Sequence, residues 1–274
     1  MALELGPSRY HHRLDAFMER EGYVSKERLY HRVVRCWCGS YSLSSTGESS
    51  GEFRHYQHCE HCGCLILKDV LAEEDIGELY GPRYYREHQI AIGLPDFTKR
   101  YETDADDRIP VWIEILKRFC KKGKVLEIGS SHGRFLKELS DLGYDVVGLD
   151  LDTDICNWSR EKTRCDIRCA TVDKIKDEKF DVVFAGDVLE HLYDPKEFVQ
   201  QVMDVLRPGG TALFQTIIFD DWRQCPIEAL RPLFHTILYA RRSLRLLEGA
   251  LSSFYDVIPG VFGCTVAVFV NKGS

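Results

Sequence analysis

Three groups of residues in this chain have types and spacings that could do chemistry. Glu127-x-Gly129-x-Ser131-x-Gly133 joins a carboxylate to three small residues at intervals of two. A second carboxylate, Asp150, follows 17 positions beyond Gly133, near the ~20 expected of an acid that holds a ribose. Cys36, Cys38, Cys59 and Cys62 form two thiol pairs with 20 residues between them, each pair followed by glycine. Asp187, His191 and, much later, His235 add a carboxylate and two imidazoles. A turn of small residues lets a ligand approach the backbone closely. Four thiolates close a tetrahedral structural zinc site with no open position. An imidazole near neutral pKa can take a proton from a hydroxyl or an acidic carbon.

The first group sits in elements that would aim it. Val125 to Ile128 is a short apolar run that reads as a buried parallel strand. Phe135, Leu136, Leu139 and Leu142 then recur on one face of a helix, which Gly143 stops. Val146 to Leu149 is a second strand ending at Asp150, and the whole is a βαβ nucleotide-binding unit. A dinucleotide site wants G-x-G-x-x-G, with pyrophosphate on the helix N-terminus. Here an acid stands two residues before the first glycine and the glycine spacing differs. That acid suits a cationic ligand, and S-adenosylmethionine (SAM) has an amino group, a sulfonium charge, a ribose and no phosphate. The stretch resembles motif I of the class I SAM-dependent methyltransferases, with Ser131 in place of the middle glycine.

Two further stretches carry the same resemblance. FDVVFAGDVLEHLYDP, residues 180–195, resembles motif IV of the small-molecule enzymes of this class, and FHTILYARRSLRLL resembles their pattern around a histidine that faces the active site. The resemblance implies a doubly wound, seven-stranded, mostly parallel Rossmann-like α/β sheet closed by an antiparallel hairpin over 254–270. It implies SAM contacts at Glu127, Gly129, Ser131, Gly133, Asp150 and Leu151. It adds Thr171, Val172 and Asp173 in the turn after the third strand, then Gly186 and Asp187 after the fourth. Tyr84 would close over the methionine end. His191 and His235 are the candidate catalytic bases, and Asp187 and His191, four apart, would share a helical face.

Cys36, Cys38, Cys59 and Cys62 are the expected zinc ligands of a small N-terminal zinc-ribbon domain, with His58, His61 and Cys64 as spare donors. The polar segment between the pairs cannot pack a core, so metal would supply its folding energy. The expected division is 1–95, a helical arm and zinc module, and 96–274, the methyltransferase domain. Residues 9–35 read as a helix with Leu14, Phe17 and Met18 on one side, 76–80 as another, and 91–106 as a loop. Residues 219–252 read as an insertion over the substrate pocket.

Composition sets the remaining bounds. With 44% apolar and 29% charged residues, the chain is globular and can bury a core. No apolar run spans a bilayer and no apolar secretion segment is visible, so a cytoplasmic protein without membrane contact is expected. An odd number of cysteines, eleven, five of them within 36–64, favours metal in a reducing compartment over disulfides. The net charge of −7 gives no broad nucleic-acid face. The expected activity is SAM-dependent O- or C-methylation of a small molecule, such as a nucleotide-linked sugar or natural-product intermediate. Alternatives are an RNA or protein methyltransferase docked through the zinc module, and a non-catalytic SAM or nucleotide binder. Acceptor identity and oligomeric state are left open.

Overall fold

The computed structural model describes residues 3–9, 30–47, 51–72, 76, 80, 90, 95–261 and 263–273. The expected helix at Leu14, Phe17 and Met18, and Tyr84, lie outside the described residues. Six short strands open the chain: β1 (Glu4–Arg9), β2 (Tyr30–Arg35), β3 (Leu43–Ser45), β4 (Tyr56–Cys59), β5 (Leu65–Leu67) and β6 (Asp69–Leu71). The described end of the 9–35 segment is therefore strand, and β2 is the middle of an antiparallel β1-β2-β6 sheet. Of the helix expected over 76–80, the described residues show one helical bond, Tyr80 N–H to the Ile76 carbonyl at 3.1 Å.

Helix α1 (Phe97–Asp106) occupies the segment read as a loop. Its apolar stripe is poor, so periodicity gives no signal. Instead Asp96 caps it, accepting from the Thr98 and Lys99 amides, and Tyr101 and Asp104 are its buried residues. The rest alternates as the pattern predicts: α2 (Ile109–Lys117), β7 (Lys124–Ile128), α3 (Arg134–Asp141), β8 (Asp145–Asp150), α4 (Thr153–Thr163), β9 (Asp166–Cys169), β10 (Phe180–Gly186), α5 (Pro195–Val205) and β11 (Leu206–Thr216). Then come β12 (Ile218–Phe219), β13 (Ile237–Ala240), β14 (Ser252–Pro259) and β15 (Thr265–Asn271).

The large sheet has the order β14-β15-β11-β10-β7-β8-β9. Strands β9, β8, β7, β10 and β11 run parallel, while β15 is antiparallel to both β11 and β14. This is the doubly wound, seven-stranded, mostly parallel α/β sheet with a closing hairpin. The strand order reverses between β7 and β10, and such a switch point opens a crevice at the strands' carboxyl ends. Successive residues of each strand serve opposite faces. Val125, Val182, Phe184 and Leu213 pack with Ile113, Leu116 and Phe135 of α2 and α3. Leu126, Val183, Ala212 and Phe214 pack with Phe198 and Val202 of α5 on the other face.

That second core continues without a break into Trp37, Tyr56, Leu65, Ile66 and Tyr239. The reason is a third sheet, β12-β13-β5-β4-β3, which pairs strands of the cysteine module with strands of the 219–252 insertion. Ile237 and Leu238 of β13 stand opposite Ile66 and Leu65 of β5. The segment RRSLRLL forms a 3-10 helix, Arg241–Leu247, with Leu244 and Leu247 buried beneath it.

Candidate active site

The turn after β7 carries the first cluster. Gly129 has φ +73°, and a Cβ there would lie 2.8 Å from Val188 Cγ2, so this position requires glycine. Ser131 also adopts positive φ, 45°, where a side chain costs roughly 1 kcal/mol or more. The Gly133 amide bonds back to the Ser130 carbonyl at 2.8 Å, and Gly133 caps α3 in the left-handed conformation. The turn is tied to the tip of β8 by its own amides. Asp150 accepts from Ser131 N at 2.8 Å, Leu151 N at 2.8 Å and Asp152 N at 3.1 Å. Burial raises the Asp150 carboxyl even though these amides pull it down.

Glu127 is 5% exposed, and its Oε2 has no hydrogen-bond partner among the described residues. The Ser130 and Ser131 hydroxyls beside it are likewise buried and unpaired. Burial, then the neighbouring Asp150 and Asp104 charges, pushes the Glu127 carboxyl well above its ordinary range. A buried acceptor without a donor is costly, and a cationic amino group supplies what Glu127 lacks. The turn thus fits the methionine end of SAM.

A polar chain braces the turn from α1 and α2. The His132 Nδ1 accepts the Arg134 amide at 3.3 Å, so its Nε2–H donates to Asp104 at 3.0 Å. Burial alone would raise Asp104, but His132, Arg100 and Arg108 together hold it below its ordinary value. Arg108 also pairs with Asp187 at 3.1 Å. Asp187 accepts from Gln215 at 3.1 Å, and Gln215 accepts from the Trp112 indole at 2.7 Å. Asp187 has φ +57° and precedes a 3-10 turn covering only Leu189–His191. The expectation that Asp187 and His191 share a helical face therefore does not hold, because the left-handed residue breaks the helical spacing.

The 3-10 turn and the insertion build the second cluster. One nitrogen of His191, one of His235 and a carboxylate oxygen of Glu190 lie within 4.8 Å of one another. The rings meet edge to face with centroids 5.0 Å apart. His191 Nδ1 is 2.9 Å from the Phe234 carbonyl and 2.9 Å from the Tyr80 hydroxyl. His235 Nδ1 is 2.7 Å from the Ala229 carbonyl. A proton on each Nδ1 serves that carbonyl, which at Phe234 also accepts from the Tyr80 hydroxyl at 3.3 Å, and leaves Nε2 as the basic nitrogen. Burial lowers both imidazoles, His235 the further because His191 stands beside it. Glu190 is 3% exposed and accepts from Thr216 Oγ1 at 2.8 Å; burial, then Asp187, raises it to about 8.

Among the remaining predicted contacts, Val172 is buried within a 3-10 turn and Asp173 pairs with Lys174 at 2.9 Å and with Thr171. Leu151 is 59% exposed and Gly186 ends β10. Residue types and spacing did not single out Glu190, Tyr80 or Arg108. Glu190 had a signal, since it directly precedes His191. Tyr80 and Arg108 had none, because their partners arrive from distant segments.

In the N-terminal module, Cys36, Cys38, Cys59 and Cys62 bring their four sulfurs within 4.8 Å of one another. Cys36 and Cys62 are 3.6 Å apart, and Cys38 and Cys59 3.7 Å. The donor set and its closeness fit a tetrahedral zinc ion. Gly63 has φ +85°, and a Cβ there would fall 2.6 Å from Arg242 Nε. The absence of that Cβ lets Arg242 of the insertion lie against the knuckle, where its Nη2 reaches the Glu60 carbonyl at 3.1 Å. His58, His61 and Cys64 are not part of the four-sulfur cluster.

Residues 126–214 match the family model of a methyltransferase domain. The chain is 35% identical over 150 residues to a Mycolicibacterium smegmatis protein described as a probable SAM-dependent methyltransferase, covering 52% of this chain and 56% of that one. It is 32% identical over 105 residues to the human mitochondrial ubiquinone biosynthesis O-methyltransferase, covering 34% and 28%. The matches thus span about half or less of these relatives' length. A solved Pyrococcus horikoshii OT3 protein shares the fold at TM-score 0.51 and 21% identity, over 69% of this chain and 99% of that one. A chain of the Haloferax volcanii complex between the Trm112 methyltransferase activator and a methyltransferase does so at 0.53 and 17%, over 64% and 94%. Sheet topology, glycine turn and family match together define the class. Residues 126–214 are thus a methyltransferase domain, built on the class I SAM-dependent fold.

Proposed function

We propose that this protein transfers the methyl group of SAM to an oxygen or an acidic carbon of a small-molecule acceptor, in the class of nucleotide-linked sugars and natural-product intermediates. The observation that supports it most is the buried, unpaired Glu127 Oε2 beneath the glycine turn. Glu127 would hold the methionine amino group, Asp150 the ribose hydroxyls, and the turn at Thr171, Val172 and Asp173 the adenine. The sulfonium makes the methyl carbon electrophilic, so the protein mainly aligns a nucleophile with it. A Cβ on Gly129 would run into Val188, which directly precedes Leu189–His191, so the Glu190, His191 and His235 cluster would border the SAM turn. That cluster would receive the acceptor and relieve it of its proton.

The reading extends to the module at 1–95, whose four cysteines would hold a structural zinc ion, and to a division from the methyltransferase part near residue 95. None of the eleven cysteines is paired in a disulfide, which suits a reducing cytoplasm. Among the described residues no helix is long and apolar enough to cross a membrane. Relatives named for ubiquinone biosynthesis O-methylation favour a small acceptor over nucleic acid. Calorimetry with SAM and with its demethylated product tests the reading. Both should bind at micromolar concentrations, and Asp150→Ala should weaken both by roughly tenfold or more as charge-assisted bonds to the ribose are lost. Absence of binding by the wild-type protein would overturn it.

A further inference from the structure

We propose that Glu190, His191 and His235 form a second metal site, a two-histidine, one-carboxylate set that holds a divalent transition cation facing the acceptor. The inference deepens the methyltransferase reading and rests on it for the placement of the acceptor. Three donors from two distant segments converge, with one ligand atom of each within 4.8 Å of the others. Both imidazoles have a backbone carbonyl on Nδ1, as metal-bound histidines commonly do, and with the proton there Nε2 is free to ligate. The carboxylate is held in the same manner by Thr216. Among the described residues no lysine or arginine is hydrogen-bonded to this cluster, and Arg231 acts on its three members only through its field.

The donor set indicates which ion. Imidazole nitrogens suit zinc, iron, nickel and cobalt, whereas calcium and magnesium prefer all-oxygen cages. Three protein ligands leave positions open, in contrast to the closed four-sulfur cluster. An open position beside the SAM turn would take the hydroxyl oxygen of the acceptor. There the cation lowers the hydroxyl pKa and its proton leaves to water, so the cluster relieves the acceptor of its proton through the ion rather than by an imidazole. The oxygen lone pair then forms the new C–O bond as the C–S bond of the sulfonium breaks. A methyl ether, the neutral thioether and one released proton balance the step.

The test uses full-length protein carrying its structural zinc, titrated with Co²⁺ and followed by calorimetry and visible absorption. One Co²⁺ per chain should bind, with ligand-field bands and no thiolate-to-cobalt charge-transfer band, which separates this site from the cysteines. Loss of an outer-sphere partner typically weakens a metal site 10–100-fold. Loss of a ligand in Glu190→Gln or His235→Ala should therefore weaken Co²⁺ by at least about tenfold. SAM affinity measured on the same variants reports folding, and Glu190→Gln keeps both shape and the Thr216 bond should His235→Ala misfold. Equal Co²⁺ affinity in wild type and Glu190→Gln, or uptake only with a thiolate band, overturns the site. SAM binding that survives such a result leaves the methyltransferase reading intact, and loss of SAM binding by wild type strikes that reading instead.

Discussion

Glu127, proposed above to hold the amino group of SAM, is kept at a cost to the fold. Its carboxyl is raised well above 4.5 because it is buried beside other acids and lacks a donor. A carboxyl raised in the folded state keeps its proton there while the unfolded chain ionises, so stability falls as pH rises above about 4.5. Glu127→Gln removes that titration. Ligand-free wild type should lose Tm relative to the glutamine variant between pH 5 and pH 8, and a constant difference would contradict the assignment. The same variant should bind SAM more weakly by about 1.5–3 kcal/mol, the worth of a charge-assisted hydrogen bond. Ser131 is a smaller instance of the same trade, since its left-handed φ and unpaired hydroxyl both lie in the turn that would meet the ligand.

At the scale of elements, the 3-10 turn Leu189–His191 and strand β13 are fastened to each other. Thr236 Oγ1 lies 3.0 Å from the Glu190 carbonyl and 2.8 Å from the Leu192 carbonyl, and the Tyr239 hydroxyl donates to Leu189 O at 2.9 Å. Thr236→Val keeps the shape and leaves both carbonyls without this donor, which should cost about 1–2 kcal/mol. Methyl transfer should slow while SAM affinity stays within error, because the glycine turn is untouched; parallel loss of both would show the fastening serves the whole sheet. What was legible at this scale was what is local. The β7–α3–β8 unit and the β14–β15 hairpin have their periodicity, stops and turns within themselves. Helix α1 was not legible, because its buried Asp104 is paid for by His132, Arg100 and Arg108 rather than by an apolar stripe. The start of β11 is not legible either, because Pro208, Gly209 and Gly210 are turn formers. Arg207 to Gly210 bulges out between the pairs Phe180 with Leu206 and Val182 with Thr211, and only the partner strand reveals that it continues the ladder.

For the molecule as a whole, the cysteine module is not an appendage. Strands β3, β4 and β5 share one sheet with β12 and β13, and Cys59 is the last residue of β4 within it. No pattern within 36–67 announces a partner some 170 residues away, so this pairing is invisible until the chain is folded. The Leu67 amide donates to the Thr236 carbonyl at 3.0 Å, and the Tyr56 hydroxyl to the His235 carbonyl at 3.0 Å. Whatever holds the four sulfurs therefore also sets the height of His235 over the 3-10 turn. A metal that supplies folding energy to a small module would here supply it to the acceptor pocket as well. Stripping zinc with a strong chelator should speed amide exchange across 36–67 and, in step, across 218–240. Exchange in β7, β8 and β10 should change little, and SAM should still bind while methyl transfer fails. Faster exchange confined to 36–67 would show that β13 stands without the module, and the coupling between sulfur cluster and pocket would be refuted.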